Sequence, residues 1–185
     1  MSDRYELRLS GSGGQGLILA GKILAQAAVI YDNKNAVQSQ SYGPEARGGA
    51  SKADVVISKT DIDYPKAQNV NVLLALTQES CDKYSKSLMD DGILLVDEKH
   101  VKKIPKGKYK VIKAPIIDIA TNDVGLVVVA NIVSLGVIQA LTNCVSYDAI
   151  KNSILERVPK GTEQINIKAL DAGITQGKKL KQQMS

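Results

Sequence analysis

A glycine-rich segment near the start of the chain has the spacing of an anion-binding turn. Residues 11–16 read Gly-Ser-Gly-Gly-Gln-Gly and lie between a strand predicted over residues 5–9 and a helix predicted over residues 15–30. In this position the glycines permit a sharp strand-to-helix turn, and free N–H groups at the start of the helix attract a phosphate. The alternative is that the glycines only let the helix pack close to the sheet. We predict phosphate contacts from Gly11, Ser12, Gly13, Gly14, Gln15 and Gly16.

Two common nucleotide-binding motifs do not fit this segment. A dinucleotide site needs an acidic residue at the end of the second strand, but Asp32 precedes the second predicted strand, residues 36–41. Residues 16–22 match G-x-x-x-x-G-K, but the next residue is Ile23, where a P-loop needs Ser or Thr for magnesium. The sequence therefore favours neither an NAD site nor an NTPase.

A second loop, after the second predicted strand, combines turn-forming residues with two opposite charges. Two Gly/Pro-rich dipeptides predict sharp turns on either side of Glu45 and Arg47. The guanidinium of Arg47 offers a planar fork for a carboxylate or a phosphate. A solvated turn between two strands is the alternative, because such clusters are common in ordinary connections. The candidate interface or ligand residues are Tyr42, Gly43, Pro44, Glu45, Arg47, Gly48 and Gly49.

Residues for catalysis or metal binding are scarce in this chain. Cys81 and Cys144 are too far apart for a C-x-x-C motif, and two thiolates cannot supply the four that an iron–sulfur cluster needs. The single histidine, His100, has no recognisable nucleophile context and reads as a surface residue. We predict no catalytic residue and no metal site.

Charge and hydropathy narrow the class of protein further. The net charge is +5, but the lysines concentrate at residues 99–110 and 178–181 with almost no arginine or aromatic residue among them, which argues against nucleic-acid binding. A solvated lysine-rich surface is the simpler interpretation, and attraction of an anionic ligand or an acidic electron carrier is the alternative. The longest apolar run, residues 126–141, is too short and too interrupted for a membrane span. We expect a cytoplasmic protein.

The elements that must position these loops alternate along the chain. Apolar runs predict a single three-layer α/β domain over residues 1–185, with a mainly parallel, mixed sheet covered by helices and a Rossmann-like first turn. The strand at 51–58 is expected to pair antiparallel with the one before it. Asn131, inside an apolar helix, needs a polar partner in the core or at a subunit or ligand. The predicted strands are 5–9, 36–41, 51–58, 72–76, 93–97 and 110–114, and the predicted helices are 15–30, 78–90, 126–143, 146–157 and 163–182. Gly92 is interpreted as the stop of the helix that begins at Gln78.

Five segments together carry a resemblance that covers nearly the whole chain. They are Gly-Ser-Gly-Gly-Gln-Gly (11–16), Ser-Tyr-Gly-Pro-Glu-Ala-Arg-Gly-Gly-Ala-Ser (41–51), Val-Val-Ile-Ser (55–58), Ile-Asp-Tyr-Pro (62–65) and Asn-Ile-Val-Ser-Leu-Gly (131–136). The chain resembles the gamma subunits of 2-oxoacid:ferredoxin oxidoreductases. The form of residues 43–49 is most similar to the 2-oxoglutarate enzymes. One departure is Asn71, where the family usually has Asp.

The resemblance implies a noncatalytic but necessary subunit. The assembled enzyme would decarboxylate a 2-oxoacid on thiamine diphosphate, pass electrons through 4Fe-4S clusters to ferredoxin, and transfer the acyl group to coenzyme A. Thiamine diphosphate, magnesium and the clusters would belong to alpha, beta and ferredoxin-like delta partner subunits. Residues 11–16 would contact the phosphates of coenzyme A, and the loop from Tyr42 to Gly49 would dock near the shared active site. The isolated chain would be inactive.

Other classes remain open at the level of sequence. A pyruvate, 2-oxoisovalerate or indolepyruvate enzyme would use the same kind of subunit. A stand-alone nucleotide-binding protein would need its own general base or metal site, and the sequence offers no convincing one. A pure scaffold would use both glycine-rich loops only for packing and interface shape.

Overall fold

Six strands form one sheet in the computed structural model, which describes residues 4–40 and 49–183. The strand order is β2-β3-β1-β4-β5-β6. The strands are β1 (Arg4–Ser12), β2 (Asn35–Gln40), β3 (Ala50–Ser58), β4 (Val70–Ala75), β5 (Leu88–Asp97) and β6 (Lys110–Ala114).

Six α-helices and four segments of π-helical or 3-10 geometry surround this sheet in the described parts of the chain. None of these helices combines the length and the apolar character needed to cross a bilayer. The α-helices are α1 (Leu17–Gln26), α2 (Gln78–Tyr84), α3 (Ile116–Asp118), α4 (Ala130–Thr142), α5 (Tyr147–Arg157) and α6 (Glu163–Gln183). The segments Ala27–Tyr31 and Ile119–Val124 are π-helical, and Ser85–Ser87 and Val127–Val129 are 3-10 turns.

The direction of the strands confirms the predicted mixed sheet. Strands β1, β4, β5 and β6 run parallel to one another, with Leu7 opposite Val72 and Leu95 opposite Ile112. Strand β3 lies between β1 and β2 and pairs antiparallel with both. The expected antiparallel pairing of the second and third strands is therefore correct. Because β3 runs against β1, its first residues lie at the edge where β1 ends.

The two faces of the sheet carry different cores, as the three-layer prediction requires. Leu7 and Leu9 face the larger core, which includes side chains from α1, α4, α5 and α6. Leu73 and Leu94 face a smaller one, built with Cys81 and Tyr84 of α2. Helices α1 and α2 therefore cover opposite faces of the sheet.

The helix predicted over residues 78–90 is shorter in the structure. Thr77 begins α2 with a capping box, but the α-helix ends at Tyr84. Residues 88–92 belong to β5, and Gly92, interpreted from sequence as the helix stop, lies where the pairing of β4 with β5 shifts. A Cβ at Gly92 would lie 3.0 Å from the carbonyl oxygen of Met89. The prediction is wrong because glycine marks irregular points in strands as well as helix ends.

Helical turns at residues 116–124 carry no clear signal in the sequence. The helix predicted over residues 126–143 begins with a 3-10 turn at Val127–Val129 and becomes α-helical only at Ala130. Gly125, with φ of +98°, separates these two regions. Short helical pieces that pass through π and 3-10 geometry lack the 3.6-residue period that identifies a long helix.

Helices α4 and α6 approach each other through glycine. A Cβ on Gly136 would lie 2.4 Å from the carbonyl oxygen of Leu170, and one on Gly173 would lie 2.2 Å from that of Val133. The two backbones are therefore in direct contact at this crossing, and no side chain fits between them. Since α4 also packs against α1, the α4–α6 pair fixes the position of the helix that follows the glycine-rich segment.

A buried ion pair ties β3 to β1 on the face covered by α2. Arg8 Nε and Nη2 donate to the two carboxylate oxygens of Asp54 at 2.7 and 2.8 Å. Lys52 Nζ also contacts Asp54, at 3.1 Å, and Arg8 donates to the carbonyl oxygen of Ala67 at 3.3 Å. Arg8 and Asp54 are 6% and 5% exposed, so either charge would be poorly solvated without the other.

We predict that Asp54→Ala lowers the free energy of unfolding by about 3–5 kcal/mol, because it leaves the buried Arg8 guanidinium without its counter-charge. Urea unfolding of the purified chain, followed by circular dichroism, measures this loss. The matched control is Asp90→Ala, which removes an exposed ion pair to Lys108 and should cost less than about 1 kcal/mol. Equal losses in the two variants would contradict a special role for the buried pair.

Candidate functional site

The glycine-rich segment forms a tight turn between β1 and α1, as predicted. Strand β1 is longer than expected and includes Gly11 and Ser12, which pair with Ser51 and Ala50 of β3. The turn proper therefore spans residues 13–16. Gly14 and Gly16 have φ of +85° and +70°, in the left-handed region that favours glycine.

Ser12 and Gln15 close the turn with two hydrogen bonds. Ser12 N donates to Gln15 Oε1 at 2.8 Å, and Gln15 N donates to the carbonyl oxygen of Ser12 at 3.4 Å. A Cβ on Gly11 would lie 2.1 Å from Gln15 Oε1, so Gly11 makes room for this side chain. Gln15, predicted from sequence as a ligand contact, thus uses its amide oxygen to hold the turn.

The outer side of the turn is exposed where the described residues define it. Gly13 and Gly14 are exposed, and a Cβ on Gly14 would meet no atom of the described residues within 4 Å. Gly16 is the N-cap of α1, has no side chain to cap it, and the first turn of the helix contains no acidic residue. The first N–H groups of a helix have no intrahelical partner, and the helix dipole makes this end positive. This arrangement suits an anion, which would reach the start of α1 past the backbone of Gly13 and Gly14.

The side chain of Asn131 connects the glycine-rich turn to α4. Its Nδ2 donates to the carbonyl oxygen of Gly16 at 3.1 Å, and its Oδ1 accepts from the N–H of Ile132 at 2.9 Å. A Cβ on Gly16 would lie only 2.5 Å from Asn131 Nδ2. The partner that the sequence required for this buried amide is therefore the glycine-rich turn itself. The long sequence separation explains why no local pattern could identify it.

The strand order places this turn at a topological switch point, where the helices that follow two neighbouring parallel strands cover opposite faces of the sheet. Helix α1 follows β1 onto one face of the sheet, and α2 follows the neighbouring parallel strand β4 onto the other face. Ligands of open α/β sheets bind in the crevice that such a switch opens at the carboxyl ends of the strands. The glycine-rich turn follows the carboxyl end of β1, at this switch point.

The second candidate loop lies almost wholly outside the described residues. Gly49 is described and has φ of +126°, and the next residue, Ala50, pairs with Ser12. The chain thus enters β3 directly beside the glycine-rich turn. The roles predicted for Tyr42, Gly43, Pro44, Glu45, Arg47 and Gly48 concern residues outside the described part and stay predictions.

The two cysteines lie on opposite faces of the sheet. Cys81 is buried in the smaller core, and burial raises the pKa of its thiol to about 11. Cys144 packs against the larger core, and burial raises the pKa of its thiol as well. Neither thiol is a thiolate nucleophile at neutral pH. Among the described residues, no three His, Cys, Asp or Glu side chains come together as a possible metal site.

His100 belongs to a hydrogen-bonded turn after β5. Its Nδ1 lies 2.7 Å from Asp97 Oδ1, and the same carboxylate accepts the N–H groups of Lys99, His100 and Ile117. Asp97 is 1% exposed, whereas the His100 side chain is half exposed. The carboxylate therefore fixes the backbone that leaves β5, and the surface position predicted for His100 agrees with the structure.

Two surface cavities lie away from the glycine-rich turn. One, of about 430 Å³, is lined by Tyr5 and Asn71 at the amino-terminal ends of the parallel strands. The other, of about 590 Å³, lies between the second half of α1 and the end of α5. Neither of these two cavities is lined by any of residues 11–16.

With this fold and this turn, the family can be assigned. The chain belongs to the pyruvate ferredoxin/flavodoxin oxidoreductase family, whose model matches residues 6–176. It is 50% identical over 179 residues to the 2-oxoglutarate synthase subunit KorC of Methanocaldococcus jannaschii, and the match covers 96% of each chain.

Solved structures agree with this assignment. The gamma subunit of a keto/oxoacid ferredoxin oxidoreductase from Geobacter sulfurreducens is 52% identical, with a TM-score of 0.89 over 96% of this chain and 98% of its own. The fold also matches part of 2-oxoglutarate:ferredoxin oxidoreductase from Magnetococcus marinus, solved with 2-oxoglutarate, coenzyme A and succinyl-CoA bound. That match has 19% identity and a TM-score of 0.86, and covers 97% of this chain and 32% of the other. The resemblance to gamma subunits read from the sequence is confirmed.

We predict that Asn131→Ala destabilises the chain by about 1–3 kcal/mol, because the carbonyl oxygen of Gly16 loses its side-chain donor. The midpoint of thermal unfolding reports the change. Asn122→Ala is the control, since that exposed amide donates to Asp118 on the surface at 2.9 Å. If both variants have the same midpoint of thermal unfolding as the parent, the hydrogen bond from Asn131 contributes nothing measurable to stability.

Proposed function

We propose that this chain is the gamma subunit of a 2-oxoglutarate:ferredoxin oxidoreductase. In the reaction 2-oxoglutarate loses CO₂, two electrons pass to ferredoxin, and the succinyl group forms a thioester with coenzyme A. The observation that carries the proposal is the similarity, along nearly the whole of both chains, to a 2-oxoglutarate synthase subunit. Within the assembly we propose that the chain acts as one domain.

Bond breaking and electron transfer are assigned to partner subunits. A 4Fe-4S cluster needs four thiolates, whereas this chain has two cysteines, and they lie on opposite faces of the sheet. The residues of this chain therefore do not fit such a cluster. We assign the clusters, thiamine diphosphate and magnesium to alpha, beta and delta subunits, and the electrons to ferredoxin as the acceptor.

The role we propose for this chain is to contact the phosphates of coenzyme A. The glycine-rich turn supports it with an open approach at Gly13 and Gly14, and with the uncapped start of α1 behind them. An anion held there would gain from the N–H groups and the dipole of α1. The bound coenzyme A in the Magnetococcus marinus enzyme, which shares this fold, is consistent with the proposal. In the same proposal, the loop from Tyr42 to Gly49 docks near the shared active site.

We predict that the purified chain alone shows no 2-oxoglutarate-dependent viologen reduction, and that activity appears when partner subunits are added. An affinity tag on this chain, used in its native source, recovers those partners. Viologen reduction is then measured with 2-oxoglutarate, pyruvate and 2-oxoisovalerate, each with coenzyme A. Turnover by the lone chain would overturn the division of roles, and a preference for another 2-oxoacid would overturn the substrate.

A second prediction places coenzyme A at the turn. In the reconstituted enzyme, Gly14→Val should raise the KM for coenzyme A roughly tenfold or more, because a branched side chain would stand where the phosphate approaches. The matched control is Gly161→Val, since Gly161 has φ of +88° and equally open surroundings but lies between α5 and α6. Both variants carry similar backbone strain. An unchanged KM in a folded Gly14→Val enzyme would refute the assignment.

A further inference from the structure

The backbone of Ala50 is held on both sides by side chains of α2. Its N–H donates to Glu79 Oε1 at 3.2 Å, and its carbonyl oxygen accepts from the hydroxyl of Tyr84 at 2.9 Å. Ala50 is 1% exposed, so an unpaired backbone group there would be poorly solvated. We call this pair of contacts the α2 clamp.

The residue that the α2 clamp holds lies at the glycine-rich turn. Ala50 pairs with Ser12, and Ser12 directly precedes the exposed Gly13. Ser12 also closes the turn through its two hydrogen bonds with Gln15. A displacement of Ala50 would therefore move Ser12 and, through it, the backbone on which the anion is proposed to bind.

Tyr84 is itself fixed in place by charged side chains. The Arg8 guanidinium lies 5.6 Å from the centre of its ring, and the Lys52 ammonium lies 5.7 Å from it. Arg8 and Lys52 both bind Asp54 of β3. The residues that surround the Tyr84 ring therefore belong to the same group of charges that joins β1 to β3.

We propose that Glu79 and Tyr84 are positioning residues for the glycine-rich turn. They contact neither substrate nor cofactor in this proposal, and act through Ala50 and Ser12 on the turn that receives the phosphate group. The inference rests on the proposed function of the turn in binding coenzyme A. It adds that the turn is held from the α2 face of the sheet as well as from α4.

The test uses the reconstituted enzyme and three conservative variants. Tyr84→Phe removes the hydrogen bond to Ala50 and keeps the ring beside Arg8. Glu79→Ala removes the other contact, and Glu79→Gln retains an amide oxygen that can accept from Ala50 N. The control is Tyr147→Phe, which also loses one hydroxyl contact, at 2.7 Å to Asp171, on an exposed surface outside the α2 clamp.

The expected result is a change in the KM for coenzyme A alone. Tyr84→Phe and Glu79→Ala should each raise the KM for coenzyme A about three- to tenfold, the loss that one hydrogen bond supports, with kcat and the KM for 2-oxoglutarate unchanged. Glu79→Gln should keep the parent KM for coenzyme A, because its amide oxygen can still accept from Ala50 N. Tyr147→Phe should match the parent.

The outcomes separate this inference from the proposed function. If Gly14→Val raises the KM for coenzyme A while Tyr84→Phe and Glu79→Ala do not, the clamp has no positioning role and the site stands. If the clamp variants lower only thermal stability, with KM unchanged, the inference is likewise wrong. If Gly14→Val is also silent, the proposed function of the turn itself fails.

Discussion

The ion pair between Arg8 and Asp54 joins the central parallel strand to the one strand that runs against it. The two charges are held together because separating them would leave the buried Arg8 guanidinium without its counter-charge. The pair therefore fixes the register of β1 against β3. Since Ser12 and Ala50 lie at the end of that same pairing, the geometry of the glycine-rich turn depends on it.

Strand direction explains why the glycine-rich turn and the start of β3 lie at the same edge of the sheet. At the carboxyl edge of a parallel sheet, only connections that follow strands are found. An antiparallel strand instead brings its beginning to that edge, and β3 begins with Ala50 immediately after the second loop. One reversed strand thus brings the start of β3, from Ala50 onward, to the edge of the sheet at which β1 ends.

The sequence predicted the sheet, the layers and the turn well, because these leave local patterns: aliphatic runs, capping residues and spaced glycines. It missed what depends on distant partners. The amide of Asn131 clearly needed a partner, but Gly16 is 115 positions away. Tyr84 and Glu79 read as ordinary helix residues, and only the fold brings them to Ala50. Gly92 was misleading because glycine serves helix ends and irregular strand pairing equally.

The amide of Asn131 belongs at once to the first turn of α4 and to the turn before α1. Its two Nδ2 protons give their own signals in a nitrogen-correlated NMR spectrum, apart from the crowded backbone region. One of them is shared with the carbonyl oxygen of Gly16, so its chemical shift follows the length of that bond. The chemical shift of this proton therefore reports on the geometry of the glycine-rich turn.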